Sequence, residues 1–254
     1  MRRILPFLIV GAVLLLTVGG GFFFFHSKSA PPLKLKTGQP GAEPAHVRGM
    51  AKKPRLTLEE FGDFQCPPCG ILASTLLRIE HDYADSVRVV FREFPLPMHL
   101  HATTAAQAAE AAGLQGRFWE MHDLLFLHSK EWGKPPSATA PGDPAPGSPE
   151  EAAKVLATFV EYATSIGIDV ERFKTDMNSQ EVKTRIQLDQ DRGASVGVDR
   201  TPVLFIDGVQ VPYPSLDEQG LRALIDSALS GNTQTPAPPS PIPTPSAKMD
   251  PVQP

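Results

Sequence analysis

Two cysteines in 254 residues, three positions apart, leave no scope for a disulfide framework. A bridge between them closes so short a loop that it restricts the unfolded chain little, so their use should be chemical rather than stabilising. Basic runs are scarce too. The net charge is −4, with 24 Lys and Arg against 28 Asp and Glu, and no Lys/Arg-rich block lies in the body of the chain. This removes the broad positive surface that neutralises phosphates, and with it nucleic acid as a partner. No internal repeat is visible.

Proline, by contrast, is abundant. The 27 prolines concentrate in residues 31 to 54, 135 to 149 and 236 to 254, a composition suited to linkers and tails that bury too little surface to fold. Elsewhere the chain is apolar enough, at 41% hydrophobic residues overall, for one packed core.

Arg2 and Arg3 precede an uncharged run from Ile4 to Phe25, long enough as a helix to span roughly 30 Å of hydrocarbon. A cleavable leader has a shorter apolar stretch and a small-residue exit. Here the run leaves through four phenylalanines, Phe22 to Phe25, so a retained membrane anchor over residues 1–25 is expected. The positive-inside rule keeps Arg2 and Arg3 in the cytoplasm and sends the rest across. Residues 26–54 are expected to be a flexible linker, 55–230 the folded domain, and 231–254 a disordered proline-rich tail.

From Arg55 the pattern becomes strand-like, with Leu56 and Leu58 alternating with Thr57 and Glu59. The same parity turns Glu60 towards the core, where a carboxylate must be functional or well partnered. If the strand stops at Glu59, Glu60 is solvated instead. Leu72, Leu76, Ile79 and Tyr83 mark one face of a helix, and Val87, Val89 and Phe91 the face of a second strand. Strand, helix and strand in so short a span suggest a right-handed crossover between parallel neighbours. Helical patterns follow over 102–128, from Ser148 and from Val170 to Arg192. Asp207-Gly208 then joins two short strands as a hairpin, and a closing helix is expected from Ser215, capped with Glu218.

Cys66-Pro67-Pro68-Cys69 therefore lies where the first strand hands over to the helix. With Cys66 at the cap, free N–H groups and the helix dipole favour a thiolate. Cys69, one turn in, is placed to resolve a mixed disulfide. A zinc site would need two of the seven histidines as well, and the compact pair His99 and His101 lacks the usual ligand spacing. Thr201-Pro202 opens the hairpin, where proline is acceptable simply as the first residue of a strand.

Glu60-Phe61-Gly62-Asp63-Phe64-Gln65-Cys66-Pro67-Pro68-Cys69, Val87 to Leu96, Gln115 to His122 and Gly197-Val198 before Thr201-Pro202 together resemble the DsbA-like thiol-disulfide oxidoreductases. This resemblance covers about residues 55 to 229. It implies an α/β thioredoxin fold with a helical insertion at about 101–195, preceded here by the membrane anchor. It also implies that Pro202 is the family's cis-proline facing the cysteines, that Thr201 contacts them, and that Glu60 is the buried acid handling the proton of the inner cysteine. Pro68 departs from the histidine of the well-known oxidants.

The expected activity is that of a dithiol oxidase, held in the cell membrane by one span with its catalytic domain on the periplasmic or cell-surface side. Its substrates would be thiols of exported proteins, its recycling partner a membrane redox protein, and no cofactor or metal is expected. A reductase or isomerase on the same scaffold is the alternative, and a metal-binding or holdase module without redox turnover is a third reading.

Overall fold

The computed structural model describes residues 34–35, 38–134 and 142–231. The expected anchor at 1–25 and the tail beyond Gly231 lie outside the described residues. Among those described, no helix is long and apolar enough to cross a membrane.

The sheet opens with a strand inside the expected linker. His46–Arg48 (β1) runs antiparallel to Val89–Phe91. Ala42 is buried, with its N–H on Asp189 Oδ1 at 2.7 Å and its carbonyl accepting from Arg92 at 2.7 Å. A linker over 26–54 is therefore wrong for residues 42–48. Proline content marked the stretch as unfoldable, but three residues are too few to show a strand period, and their partners lie far along the chain.

Leu56–Gly62 (β2) pairs in parallel with Val87–Glu93 (β3), with Leu56 opposite Val87 and Gly62 opposite Glu93. Between them runs the helix Pro67–Asp82 (α1). Val203–Ile206 (β4) lies antiparallel on the other side of β2, and Val209–Gln210 (β5) completes the sheet in the order β1-β3-β2-β4-β5. The β4–β5 turn places Asp207 and Gly208 at φ 46° and 79°, the positive region that a two-residue hairpin requires.

Six helices stand between β3 and β4 among the described residues: Ala102–Gly113 (α2), Phe118–Leu127 (α3), Ser129–Trp132 (α4), Pro149–Ser165 (α5), Val170–Met177 (α6) and Gln180–Ser195 (α7). The small side chains of α2, among them Ala105, Ala108, Ala109 and Ala112, let Phe118, Met121, Phe159 and Phe173 close around it. The last helix, Glu218–Leu229 (α8), is capped by Asp217, whose carboxylate accepts from Gly220 N–H at 2.7 Å. Ser215 ends a 3-10 turn instead of capping. The Ser-x-x-Glu spacing was satisfied, but Asp217 stands closer to the first free amides and brings a full charge to them.

Leu72, Leu76 and Ile79 of α1 and Leu221 and Ile225 of α8 pack against Leu56, Leu58 and Val89 on one face of the sheet. The other face is also covered, with Phe61 and Phe205 against Val196 and Val198. Glu59, which alternates with Leu56 and Leu58, is consequently buried as well. Its carboxylate takes Arg92 at 2.8 Å and Arg192 at 2.8 and 3.0 Å, and Arg92 continues to Asp189 at 3.1 Å. This network ties the sheet to α7. Removing one member of such a buried set typically costs about 3 to 5 kcal/mol, because the partner charge is left uncompensated.

Candidate active site

The turn Asp63–Gln65 carries the chain from the end of β2 to Cys66, the N-cap of α1. Pro67 and Pro68 take the first helical positions, where an N–H would have no partner in the helix anyway. The first amide that can donate is therefore that of Cys69. Cys66 and Cys69 are unbridged in this structure, 6% and 0% exposed.

The two sulfurs are driven apart chemically. A hydrogen bond from the Cys69 thiol, joined by bonds from Thr201 and the Cys69 amide, outweighs burial and lowers the Cys66 pKa to about 6. Cys69 is pushed well above the ordinary thiol range by burial, then by donating its S–H as a hydrogen bond to Cys66 and by the nearby charge of Glu60. The outer sulfur is thus ready as a thiolate while the inner one retains its proton.

Thr201 stands beside this pair. The Thr201-Pro202 bond is cis, and the Thr201 carbonyl lies 3.5 Å from Cys66 Sγ. Thr201 Oγ1 is buried too, and the Cys66 sulfur is the acceptor on which its hydroxyl acts. Pro202 is buried directly before β4, whose Val203 pairs with Phe61 of β2. Parity carries Glu60 inward, opposite Phe91 on one side and Leu204 on the other. It is 1% exposed, and its Oε1 has no hydrogen-bond partner. Burial, reinforced by the charge of Cys66 and opposed by Arg48, raises its pKa to about 8. The structure thus gathers Cys66, Cys69, Thr201, Pro202 and Glu60 around the ends of β2 and β4.

Three nearby groups escaped the sequence reading. Asp63 is buried beneath the cysteine turn; its place inside the Glu60-to-Cys69 motif was the available signal. Arg48 reaches the site from β1, clamped by Glu80 at 2.6 Å and Asp123 at 2.8 Å, and nothing in its local sequence pointed there. Glu93, at the end of β3, has both carboxyl oxygens buried and unpartnered, and burial holds its pKa well above the carboxylate range.

The raised pKa of Glu60 has a definite sign in stability. The unfolded chain releases this proton near 4.5 and the folded one at about 8. The contribution of Glu60 is therefore complete below 4.5 and is lost as pH rises towards 8. Glu60→Gln removes this loss, so the variant's urea midpoint should gain on the wild type's between pH 5 and pH 8. Parallel midpoints over that range would show that Glu60 does not titrate as the geometry demands.

Residues 42–227 match the family Thioredoxin_4, described as thioredoxin. Among curated relatives, a Na+/H+ antiporter NhaA 1 of Salinispora arenicola is 34% identical over 192 residues, covering 75% of this chain and 26% of the relative. The chain thus spans about a quarter of the length of the curated relatives it matches. Among solved structures, BdbD from Bacillus subtilis superposes with a TM-score of 0.59 at 20% identity, covering 79% of this chain and 100% of that one. DsbA2 of Pseudomonas aeruginosa gives a TM-score of 0.53 at 27% identity, covering 77% and 100%.

Proposed function

We infer that this chain, which belongs to the thioredoxin family and is folded like the DsbA-type thiol-disulfide oxidoreductases, is a dithiol oxidase of exported proteins. The observation that carries this reading is the asymmetry of the two sulfurs: Cys66 stabilised as a thiolate at a helix start, and Cys69 fully buried behind it with its proton held. In the oxidised enzyme a client thiolate attacks Cys66 Sγ, the Cys66–Cys69 bond breaks, and its electron pair leaves on Cys69. That sulfur then needs a proton, and Glu60 is the adjacent buried acid able to hold one near neutral pH. A second client thiolate attacks the client sulfur of the mixed disulfide and expels Cys66 as its stable thiolate. The client has lost two electrons, and the dithiol returns them to a membrane redox partner.

The expected anchor at 1–25 supports placing this chemistry outside the cytoplasm. Carbonate washing should leave the full-length chain in membranes, and release of a shortened form would show a cleaved leader instead. A reductase is the second reading, favoured by Pro67 and Pro68, which deny the thiolate two amide donors. The antiporter name does not bear on either reading, because the similarity covers only about a quarter of those relatives. The test is catalysed oxidative refolding of a reduced, unfolded disulfide protein by the oxidised enzyme. Acceleration that disappears in Cys66→Ser supports oxidase chemistry; refolding no faster than with the buffer alone overturns it.

A further inference from the structure

Lys52, Lys53, Arg55 and Arg88 are exposed, and none of them makes an ion pair among the described residues. Their neighbours differ: Arg48 is held by Glu80 and Asp123, and Arg222 by Asp82 and Glu218. The fold gathers the four unpaired cations. Gly49, at φ 140°, packs against Arg88, whose Cα lies 3.0 Å from where a side chain at 49 would begin. At the other end of the loop over 49–55, Arg55 N–H donates to the Ser86 carbonyl at 2.8 Å. The arginines are steadied by neutral groups, Arg88 by Thr57 Oγ1 at 2.9 Å and Arg55 by the Leu229 carbonyl at 2.5 Å. Asp85, in the adjoining turn, pairs with none of them.

Met50 stands out of the same loop at 83% exposure, the highest of any large hydrophobic side chain among the described residues. Cations around a projecting apolar group suit an anionic lipid interface, where the charges meet headgroups and the apolar side chain enters beneath them. Chain order supplies the lipid. The uncharged run from Ile4 to Phe25 precedes this loop by only about 20 residues, so a bilayer that takes up the run stays beside it at high effective concentration.

We propose that Lys52, Lys53, Arg55 and Arg88, with Met50, form a contact for an anionic phospholipid surface. This rests on the reading of residues 1–25 as a membrane anchor. The loop enters β2 at Leu56, whereas Cys66 follows its far end at Gly62, about 20 Å away along a strand of this length. The contact therefore leaves the cysteines open to exported clients. Being made by charge, it is reversible, and the domain can still turn them to a membrane partner.

The test places a tryptophan in the loop. Full-length Met50→Trp is reconstituted in vesicles of brominated phosphatidylcholine, with or without one-third phosphatidylglycerol, and the quenching of wild type, from Trp119 and Trp132, is subtracted. Extra quenching is expected in the anionic vesicles, and it should vanish at about 1 M salt, where screening acts within about 3 Å. Each cation at such a surface is worth about fivefold, so adding Lys52→Gln and Lys53→Gln should weaken the contact roughly 25-fold. Both side chains are exposed and unpaired, so the fold should be unaffected. Equal quenching in the two kinds of vesicle, or quenching that survives salt and loss of the lysines, overturns the proposal. Carbonate extraction reads the anchor separately. A chain that carbonate releases, but that sediments with anionic vesicles at low salt and not at high salt, supports the contact and refutes the anchor. A chain that carbonate leaves in place without charge-dependent quenching does the reverse.

Discussion

Cys69→Ser should accumulate mixed disulfides with client proteins, and Cys66→Ser should accumulate none. At pH 7 a thiol titrating at about 6 is roughly nine-tenths thiolate, against roughly 3% for an ordinary cysteine near 8.5, which is roughly 30-fold more nucleophile. Cys69 lies on the unfavourable side of both comparisons, since it is fully buried and its thiol is raised further. In Cys69→Ser the Cys66 thiolate can attack a client disulfide, joining one of its sulfurs and expelling the other as a thiolate, and with no Cys69 to attack the Cys66 sulfur the enzyme's own route of release is gone, so the complex accumulates on a non-reducing gel. Turnover should fall to background in both variants. Trapping by Cys66→Ser and not by Cys69→Ser would reverse the roles and refute the helix-cap argument.

Pro68→His should raise the reduction potential and lower the Cys66 pKa together. The thiolate of Cys66 stands at a helix start whose first two residues have no N–H, and hydrogen bonds to a charged group are worth about 1.5 to 3 kcal/mol each. Histidine at 68 restores one donor and adds an imidazole. With about 30 mV per 1.4 kcal/mol for a two-electron couple, the potential should rise by roughly 30 to 65 mV, and the pKa should fall by about one to two units. The wild type, lacking these donors, belongs between about −120 mV for DsbA and about −270 mV for thioredoxin. Equilibration with a glutathione buffer measures the potential, and no change in either quantity would refute the mechanism. A wild-type value as oxidising as DsbA's would shift the explanation to Thr201 and Glu60.

What could be read from the sequence was local. The four-three-four spacing of Leu72, Leu76, Ile79 and Tyr83 places the buried face of α1, the alternation of Val87, Val89 and Phe91 that of β3, and Asp207-Gly208 the β4–β5 turn. Parity with Leu56 and Leu58 left Glu60 open between core and solvent, and the resemblance to the DsbA-like family is what pointed to a buried acid. Glu59, on the opposite parity, is buried as well, because this sheet is covered on both faces. β1 is too short to show a period and is held by partners such as Glu80 and Asp123, which the chain supplies later. His99 illustrates the same limit beside the cysteine turn, where its Nδ1 lies 2.7 Å from Asp63 Oδ2. Its spacing from His101 argued against a metal, but its bond to Asp63 exists only once β2 and β3 lie side by side.

The central claim is that this chain supplies disulfides. The redox state of Cys66 and Cys69 in living cells, trapped by acid and read by thiol alkylation, tests it most directly. A dithiol oxidase awaiting clients is recharged faster than it is emptied, so most of the pair should be found as the disulfide. A pair found mostly as thiols would contradict the oxidase account and assign the chain to reduction.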